Sequence, residues 1–449
     1  MSGLIATSKC VAIVGTGVTG LSVARFLQGL QVRFAFFDTR VRPPNAELIA
    51  QEYPEIHCEF GRWDEDLLCS MDEVVVSPGV SLKQPQLVSA KERGVSLIGD
   101  IDLFVRYAKA PIIAITGSNA KSTVTTLVGD MAAQQGVHVA VGGNLGTPAL
   151  DLLNESVELY VLELSSFQLE TTTKLNAKVA SVLNISPDHM DRYDSMQAYH
   201  AAKQRVYFGA EQVVVNRRDV LTHPPLSADA IVSGFGGSAD FKNMGTQMRD
   251  GVLWLCDQLE PIMKVSELRI VGAHNVDNAL AALAIGKAAG FERVAMLSAL
   301  RNFEGLPHRC QWVMSVGGVG FIDDSKGTNV GATLAAINGL SQNDGKLVVM
   351  LGGIAKEANF SALLPALIEH ARSIVVYGRD ARILEESLCQ FSKIKRVDTM
   401  LQACEQARLL AAPGDTVLLS PACASFDEFD NYVQRGEVFT RWVKEAANE

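Results

Sequence analysis

Lys121 and Ser122 open a helical stretch directly behind the turn Gly117-Ser118-Asn119-Ala120. That turn follows "PIIAIT" (Pro111 to Thr116), a short apolar, β-branched run that reads as a buried strand. A strand, a tight turn and a helix start aim several backbone N–H groups at one point, where the helix dipole favours an anion. Lys121 adds a charge for β- and γ-phosphates, and the Ser122 hydroxyl can reach Mg²⁺; Thr123 continues the same turn. The spacing is not that of the common loop Gly-x-x-x-x-Gly-Lys-Ser/Thr, because Ile115 and Ala120 occupy its glycine positions. An ordinary strand–turn–helix with Ser and Asn caps is the structural alternative. Lys-Ser-Thr at the helix start favours phosphate over it.

Other polar residues fall where strands should end, which is where open α/β sheets bind ligands. Glu163 follows "LYVL", Asp188 and His189 follow "VASVLNI", and Asp323, Asp324 and Lys326 follow "VGFI". Mg²⁺ prefers oxygen ligands, so an acidic residue near a phosphate loop is its usual partner, and Glu163 is the candidate. Singly, each of these residues has a plain structural explanation: a helix cap for Asp188 or Asp324, a solvated carboxylate for Glu163, a hydrogen-bonded imidazole for His189. At the start of the chain, Gly15, Gly17 and Gly20 form Gly-x-Gly-x-x-Gly between the strand "VAIV" and a helix, and Asp38 closes the next strand. This is a dinucleotide-binding fingerprint in its proper context. The diphosphate and ribose of any nucleotide would use the same features as NAD.

The elements that must position these residues repeat as strand, loop and helix. With 449 residues, 48% hydrophobic and 20% charged, the chain has material for several domains with large cores. The reading is α/β with three domains. Residues 1–99 form a Rossmann-like domain, 100–306 a central P-loop-type ATPase domain with a mostly parallel sheet, and 307–449 a second Rossmann-like domain. The stretch from Arg218 to Val271 lacks helical periodicity and is expected to add antiparallel strands, and "EGLPHRC" reads as a linker. A net charge of −10 argues against a sequence-independent nucleic-acid binder, whose footprint is basic. The eight cysteines include no Cys-x-x-Cys, so reduced, mostly buried thiols of a cytoplasmic protein are expected. No signal peptide and no membrane helix is read from the chain.

Taken together, "TGSNAKST", "ELSSFQLE", "NISPDHMDRY", "YHAAKQRVY", "HNVDNALAA", "GLPHR", "DDSKGTN" and "SPACASFDEF" resemble, in this order, the motifs of the Mur ligases. The resemblance covers essentially the whole chain and is strongest to the members that add D-glutamate. It implies an ATP-dependent amide ligation. ATP phosphorylates the carboxylate of UDP-N-acetylmuramoyl-L-alanine, and the amine of D-glutamate attacks the acyl phosphate. The cofactors implied are ATP and two Mg²⁺ ions, one on Ser122 and Glu163, the other on His189 and Lys203. A bare ammonium cannot bind a cation, and the matching family lysine is carbamylated by CO₂. Read without the resemblance, Lys203 lies on an amphipathic helix and is expected to be a solvated charge.

On the ATP side the resemblance carries over Gly117, Ser118, Asn119, Ala120, Lys121, Ser122, Thr123, Asn275, Asn278, Arg309 and Asp324. On the uridine-diphosphate side it carries over Gly15, Val18, Thr19, Asp38, Thr39, Ser77 and Gly79, with Asn144 and Ser165 near the acyl centre. For D-glutamate it implies Lys326, Thr328, Lys356, Ser425 and Phe426. The departure is Ala120, which stands where the family loop has Gly. A right-handed conformation at the helix start is expected there, so that alanine costs nothing.

Three rival readings remain. A sister ligase or a folylpolyglutamate-synthase-like enzyme would take another amino acid. An NAD-dependent dehydrogenase explains the first domain but not the Lys-Ser loop. A non-catalytic nucleotide-binding protein needs no acceptor pocket. The partners expected are small molecules, with no nucleic acid and no membrane, and a monomer is expected.

Overall fold

The computed structural model describes residues 9–225, 230–270, 272–340, 345–355 and 358–447. The described residues form three sheets, one per segment of the chain. The first contains β1 (Cys10–Val14), β2 (Arg33–Asp38), β3 (Cys58–Phe60), β4 (Glu73–Val76) and β5 (Ser96–Ile98). All pairs are parallel, in the order β3-β2-β1-β4-β5. Chain direction across the sheet reverses between β1 and β4, so a crevice opens there at the carboxyl ends of the strands.

The central sheet contains β6 (Ile112–Thr116), β7 (Val139–Gly143), β8 (Leu159–Glu163), β9 (Val179–Val182), β10 (Gln212–Asn216), β11 (Ile231–Ser238), β12 (Met244–Arg249), β13 (Val252–Asp257) and β14 (Glu260–Lys264). Their order is β14-β13-β12-β11-β10-β9-β6-β8-β7. β6 and β8 are buried at every position, as parallel strands covered by helices on both faces must be. β12, β13 and β14 pair antiparallel, which bears out the strands expected between Arg218 and Val271.

The third sheet contains β15 (Gln311–Val316), β16 (Val319–Asp323), β17 (Leu347–Gly352), β18 (Ala371–Tyr377), β19 (Ile394–Arg396) and β20 (Thr416–Ala422). It runs β15-β16-β20-β17-β18-β19, parallel except for the β15–β16 hairpin at its edge. The protein thus has the three-domain α/β architecture expected.

The first two units share an apolar core. It runs from Ile13 and Phe36 through Ile101 and Phe104 to Leu162, Tyr199 and Val206. Phe104, on the helix Asp100–Tyr107 that joins the two units, meets Tyr160 of β8 edge-on at 5.0 Å. Burying one such ring contributes about 1.5–3 kcal/mol, so this helix fastens one sheet to the next. No helix among the described residues is long and apolar enough to cross a membrane.

Candidate active site

β6 delivers the chain into the phosphate loop at the centre of the second sheet, and the helix Lys121–Gln134 leaves it. Neighbouring strand ends hold the loop. Ser118 Oγ donates to the Ser186 carbonyl and lies 2.9 Å from the Tyr199 hydroxyl. The Asn119 amide donates to Asn184 Oδ1, and Asn184 Nδ2 returns a bond to the Asn119 carbonyl. Lys121 Nζ donates to the carbonyls of Gly117 and Ser118, both at 3.0 Å. Burial lowers its pKa below the ordinary lysine value, against the pull of Glu163 and Asp188.

Ala120 corrects the expectation from sequence. Its φ is +67° and ψ −5°, the left-handed region, and not the right-handed conformation expected at the helix start. The loop must reverse before the helix begins, and this residue makes the reversal. The strain of roughly 1 kcal/mol for a residue with a Cβ is opposed by packing. Ala120 is partly buried against the core of Ile113, Val124 and Leu127.

Ser122 and Glu163 meet directly. Ser122 Oγ donates to Glu163 Oε2 at 2.6 Å, and Asn144 Nδ2 donates to Oε1 at 2.6 Å. From the third unit, Arg309 Nη2 donates to Ser122 Oγ at 2.7 Å. Burial alone would raise the Glu163 pKa, but Lys121, Ser122, Asn144 and Arg309 outweigh it and hold the carboxylate charged.

Lys203 is the second correction. It is 2% exposed, not a solvated charge. Its amine donates to the Gly117 carbonyl at 2.8 Å and lies 4.9 Å from the centre of the Tyr199 ring. Burial and the nearby Lys121 push its pKa well below the usual lysine value. His189, at φ +56°, packs edge-on against Phe167 with Nε2 3.6 Å from Asp188 Oδ2.

One cleft of about 710 Å³ brings these groups together with residues of the third unit. Lys121, Glu163, His189 and Lys203 line it with Ser118, Asn119, Ala120 and Thr123; Gly117 lies in the loop behind and Ser122 is buried in the first turn of the helix. Asn275 and Asn278 line it too, and Asn278 Nδ2 donates to Asn275 Oδ1 at 3.0 Å, so the pair faces the cleft and does not cap the helix Ala273–Ala289. Asp324 is held by the Cys310 amide and the Ser420 hydroxyl, and burial pushes its pKa up to about 7. Lys326, Thr328, Ser425 and Phe426 complete the far wall. The Lys326 ammonium sits 3.8 Å from the centre of the Tyr432 ring. Lys356 lies outside the described residues.

A second cavity, of about 690 Å³, opens at the β1/β4 crevice and is lined by Gly15, Val18, Thr19, Asp38, Thr39, Ser77 and Gly79. A Cβ on Gly15 would come within 2.8 Å of Ser77 Cβ at φ +95°, so only glycine lets the two strand ends close the crevice. Asp38, 1% exposed, accepts from Thr16 N and Oγ1 and from Arg40 N, Nε and Nη2. Burial opposes its charge, but these bonds prevail and bring its pKa down to about 2. Asn144 lines both cavities, while Ser165 lines only the first.

Residues 9–99 match the model of the Mur ligase MurD-like N-terminal domain, residues 115–286 the Mur ligase middle domain, and residues 308–423 the Mur ligase glutamate ligase domain. The chain belongs to the Mur ligase family. It is 54% identical over 443 residues to the UDP-N-acetylmuramoylalanine–D-glutamate ligase of Pseudomonas savastanoi pv. phaseolicola, covering 98% of this chain and 99% of that one. With the Pseudomonas aeruginosa protein of the same name it shares 53% over 446 residues, 99% of this chain and all of the other. Among solved structures, the UDP-N-acetylmuramate-alanine ligase of Thermotoga maritima has the same fold, with a TM-score of 0.60 at 18% identity over 97% of this chain and 99% of that one.

A Mur ligase works with ATP and Mg²⁺, and the donor set of this one fits the ion. Ser122 and Glu163 present a hydroxyl and a charged carboxylate within hydrogen-bond reach of each other. Mg²⁺ takes one or two protein oxygens and fills its shell with water and phosphate, so the absence of a His/Cys/Asp/Glu trio among the described residues is no obstacle.

Some residues of this Mur ligase cleft lay inside quoted motifs without being singled out. Asn329, the last residue of "DDSKGTN", bonds across the cleft to both Asn119 Oδ1 and Asp188 Oδ2 at 3.2 Å. Arg192, in "PDHMDRY", donates to the Val80 carbonyl of the first unit and lines its cavity. Arg40 pairs with Asp38. Asn329 and Arg192 act between units far apart in the chain, where no local spacing signals a contact, whereas Arg40 is two residues from its partner.

Proposed function

We propose that this enzyme joins D-glutamate to UDP-N-acetylmuramoyl-L-alanine, the reaction named for its Pseudomonas relatives. It does so as a cytoplasmic monomer in peptidoglycan precursor synthesis, with domains 1–99, 100–306 and 307–449. The observation that carries the reading is Asn144, which lines both cavities. A nucleotide in the first-domain cavity extends past Asn144 and Ser165, so its free carboxylate arrives at the phosphate loop.

Two steps follow. An oxygen of the alanyl carboxylate attacks the γ-phosphorus of ATP, the bond to the bridging oxygen breaks, and ADP leaves. The neutral amine of D-glutamate then attacks the acyl carbon, phosphate departs, and the nitrogen loses a proton. Catalysis of phosphoryl transfer is positioning plus charge stabilisation. Lys121 and the loop amides gather the phosphates, while Asn275, Asn278, Arg309 and Asp324 hold the nucleotide. Ser122 and Glu163 would hold one Mg²⁺ ion and His189 with carbamylated Lys203 the other, and the ions would supply neutralisation of phosphate charge. Burial supports the modification, because the neutral Lys203 amine is the form that adds to CO₂ and then loses a proton.

Phosphate release with UDP-N-acetylmuramoyl-L-alanine and a panel of amino acids tests the whole reading. D-glutamate is expected to drive release. A better acceptor elsewhere in the panel overturns the assignment.

Asp38→Ala should raise KM for the nucleotide substrate and leave those for ATP and D-glutamate unchanged, since Asp38 lines the cavity of the first domain and not the cleft at the phosphate loop. An equal rise in all three would mean general destabilisation instead.

D-glutamate carries two carboxylates, and Lys326, Thr328, Lys356, Ser425 and Phe426 form its pocket. Ser425 is 2% exposed on the cleft wall. Ser425→Ala removes a hydrogen bond to a charged group, costing about 1.5–3 kcal/mol, so KM for D-glutamate should rise roughly ten- to hundredfold. Steady-state kinetics with varied D-glutamate reads this directly.

A further inference from the structure

The junction between the first and central units ends in a carboxylate that faces inward. Asp100 begins the helix Asp100–Tyr107 and is 3% exposed. Its Oδ2 accepts from Gln168 Nε2 at 3.1 Å. Gln168, 4% exposed, is itself committed at its other end. Its Oε1 accepts from the Ser165 backbone amide at 3.1 Å and from Ser165 Oγ at 3.3 Å, while the Gln168 amide donates to Ser165 Oγ at 3.1 Å.

The direction of each bond is forced. A backbone N–H only donates, so the side of Gln168 facing Ser165 must be the oxygen. Its NH₂ then points the other way, into buried surroundings, and needs an acceptor; Asp100 supplies it. The segment is gripped a second time by Asp102, which accepts from Thr173 N at 2.9 Å and from Thr173 Oγ1 at 3.2 Å. Two carboxylates of the junction thus hold both ends of the helix Ser166–Thr171, whose N-cap Ser165 lines the reaction cleft.

We infer that Asp100 is a positioning residue: through Gln168 it fixes the cap that presents Ser165, and it thereby sets the enzyme's affinity for the nucleotide substrate. The inference rests on the function proposed above. Without Asp100 the Gln168 amide is a buried donor with no acceptor, and the cap gives way to satisfy it. ATP and D-glutamate bind to groups that this chain of bonds does not touch.

The test begins with the unmodified enzyme, where failure of UDP-N-acetylmuramoyl-L-alanine and D-glutamate to release phosphate from ATP would overturn the functional reading itself. With that reaction in hand, Asp100→Ala should raise KM for the nucleotide substrate at least about tenfold, the scale of one lost hydrogen bond to a charged group. KM for ATP and for D-glutamate should stay within about twofold, because neither site shares a partner with Asp100. Asp100→Asn keeps an acceptor oxygen at the same place and should restore most of the affinity. Asp100→Ala combined with Gln168→Ala should be no worse than Gln168→Ala alone, since both remove the same chain. If Asp100→Ala does not fold, Gln168→Leu carries the same test, with the same selective rise expected. A rise shared by all three substrates, an Asp100→Asn variant as impaired as Asp100→Ala, or additive effects in the double variant would each overturn the inference.

Discussion

Lys121→Ala lowers kcat about 10²- to 10³-fold, the scale of removing one preorganised contact to developing charge. The Lys121 amine is held 3.0 Å from two loop carbonyls, at the point where the helix start and the loop amides converge. Among the described residues, neither neighbouring cation of the loop is placed to replace it. Arg309 is turned to Ser122 Oγ, and Lys203 is occupied with the Gly117 carbonyl and Tyr199. KM for ATP is expected to rise with the fall in kcat, because an ammonium in the proposed phosphate site would contact phosphate in both the ground and transition states. The fold survives, since the carbonyls of Gly117 and Ser118 can be solvated once the amine is gone. Steady-state kinetics with a melting curve decides the matter. Near-normal kcat with an unchanged KM for ATP would remove Lys121 from the phosphate site.

Lys203→Ala is expected to be nearly inactive at saturating ATP and Mg²⁺, with a loss of at least about a hundredfold. A free ammonium in this cleft would repel a metal ion, and the proposed carbamate would replace that charge with an anionic oxygen ligand. Acetate or formate should therefore restore part of the activity of Lys203→Ala by occupying the vacated space. The same anions should do nothing for Lys121→Ala, whose missing group is a cation. A fully active Lys203→Ala variant would return Lys203 to a structural role as the buried donor to Gly117. Mass spectrometry of the native enzyme, with and without CO₂, reads the modification independently.

Much of the architecture was legible because it is written in local patterns. Short β-branched runs ending in glycine turns marked β1 and β6, and the weak periodicity after Arg218 marked the antiparallel strands. The glycine fingerprint was partly local: Gly20 closes on the Gly15 carbonyl inside one strand–turn–helix unit, while Gly15 also answers to Ser77 at the end of β4. The Lys-Ser pair at a helix start indicated phosphate for the same reason, since the anion site is made by a few consecutive residues.

The rest was decided by packing between distant segments. Backbone conformation at Ala120 depends on how the loop is pinned by Asn184 and Ser186, and residue type alone pointed to the wrong region. Burial of Lys203 depends on the sheet end and Tyr199 closing over it, whereas helical periodicity marks only which residues share a face. The contacts of Arg309 with Ser122 and of Asn329 with Asn119 join residues 187 and 210 positions apart. Sequence by itself determined which residue types could bind phosphate, metal and carboxylate, because those capacities are properties of single side chains and short turns. Only the tertiary structure decided which of them share one cleft and what charge burial leaves on them, because distance and desolvation are set by the whole fold.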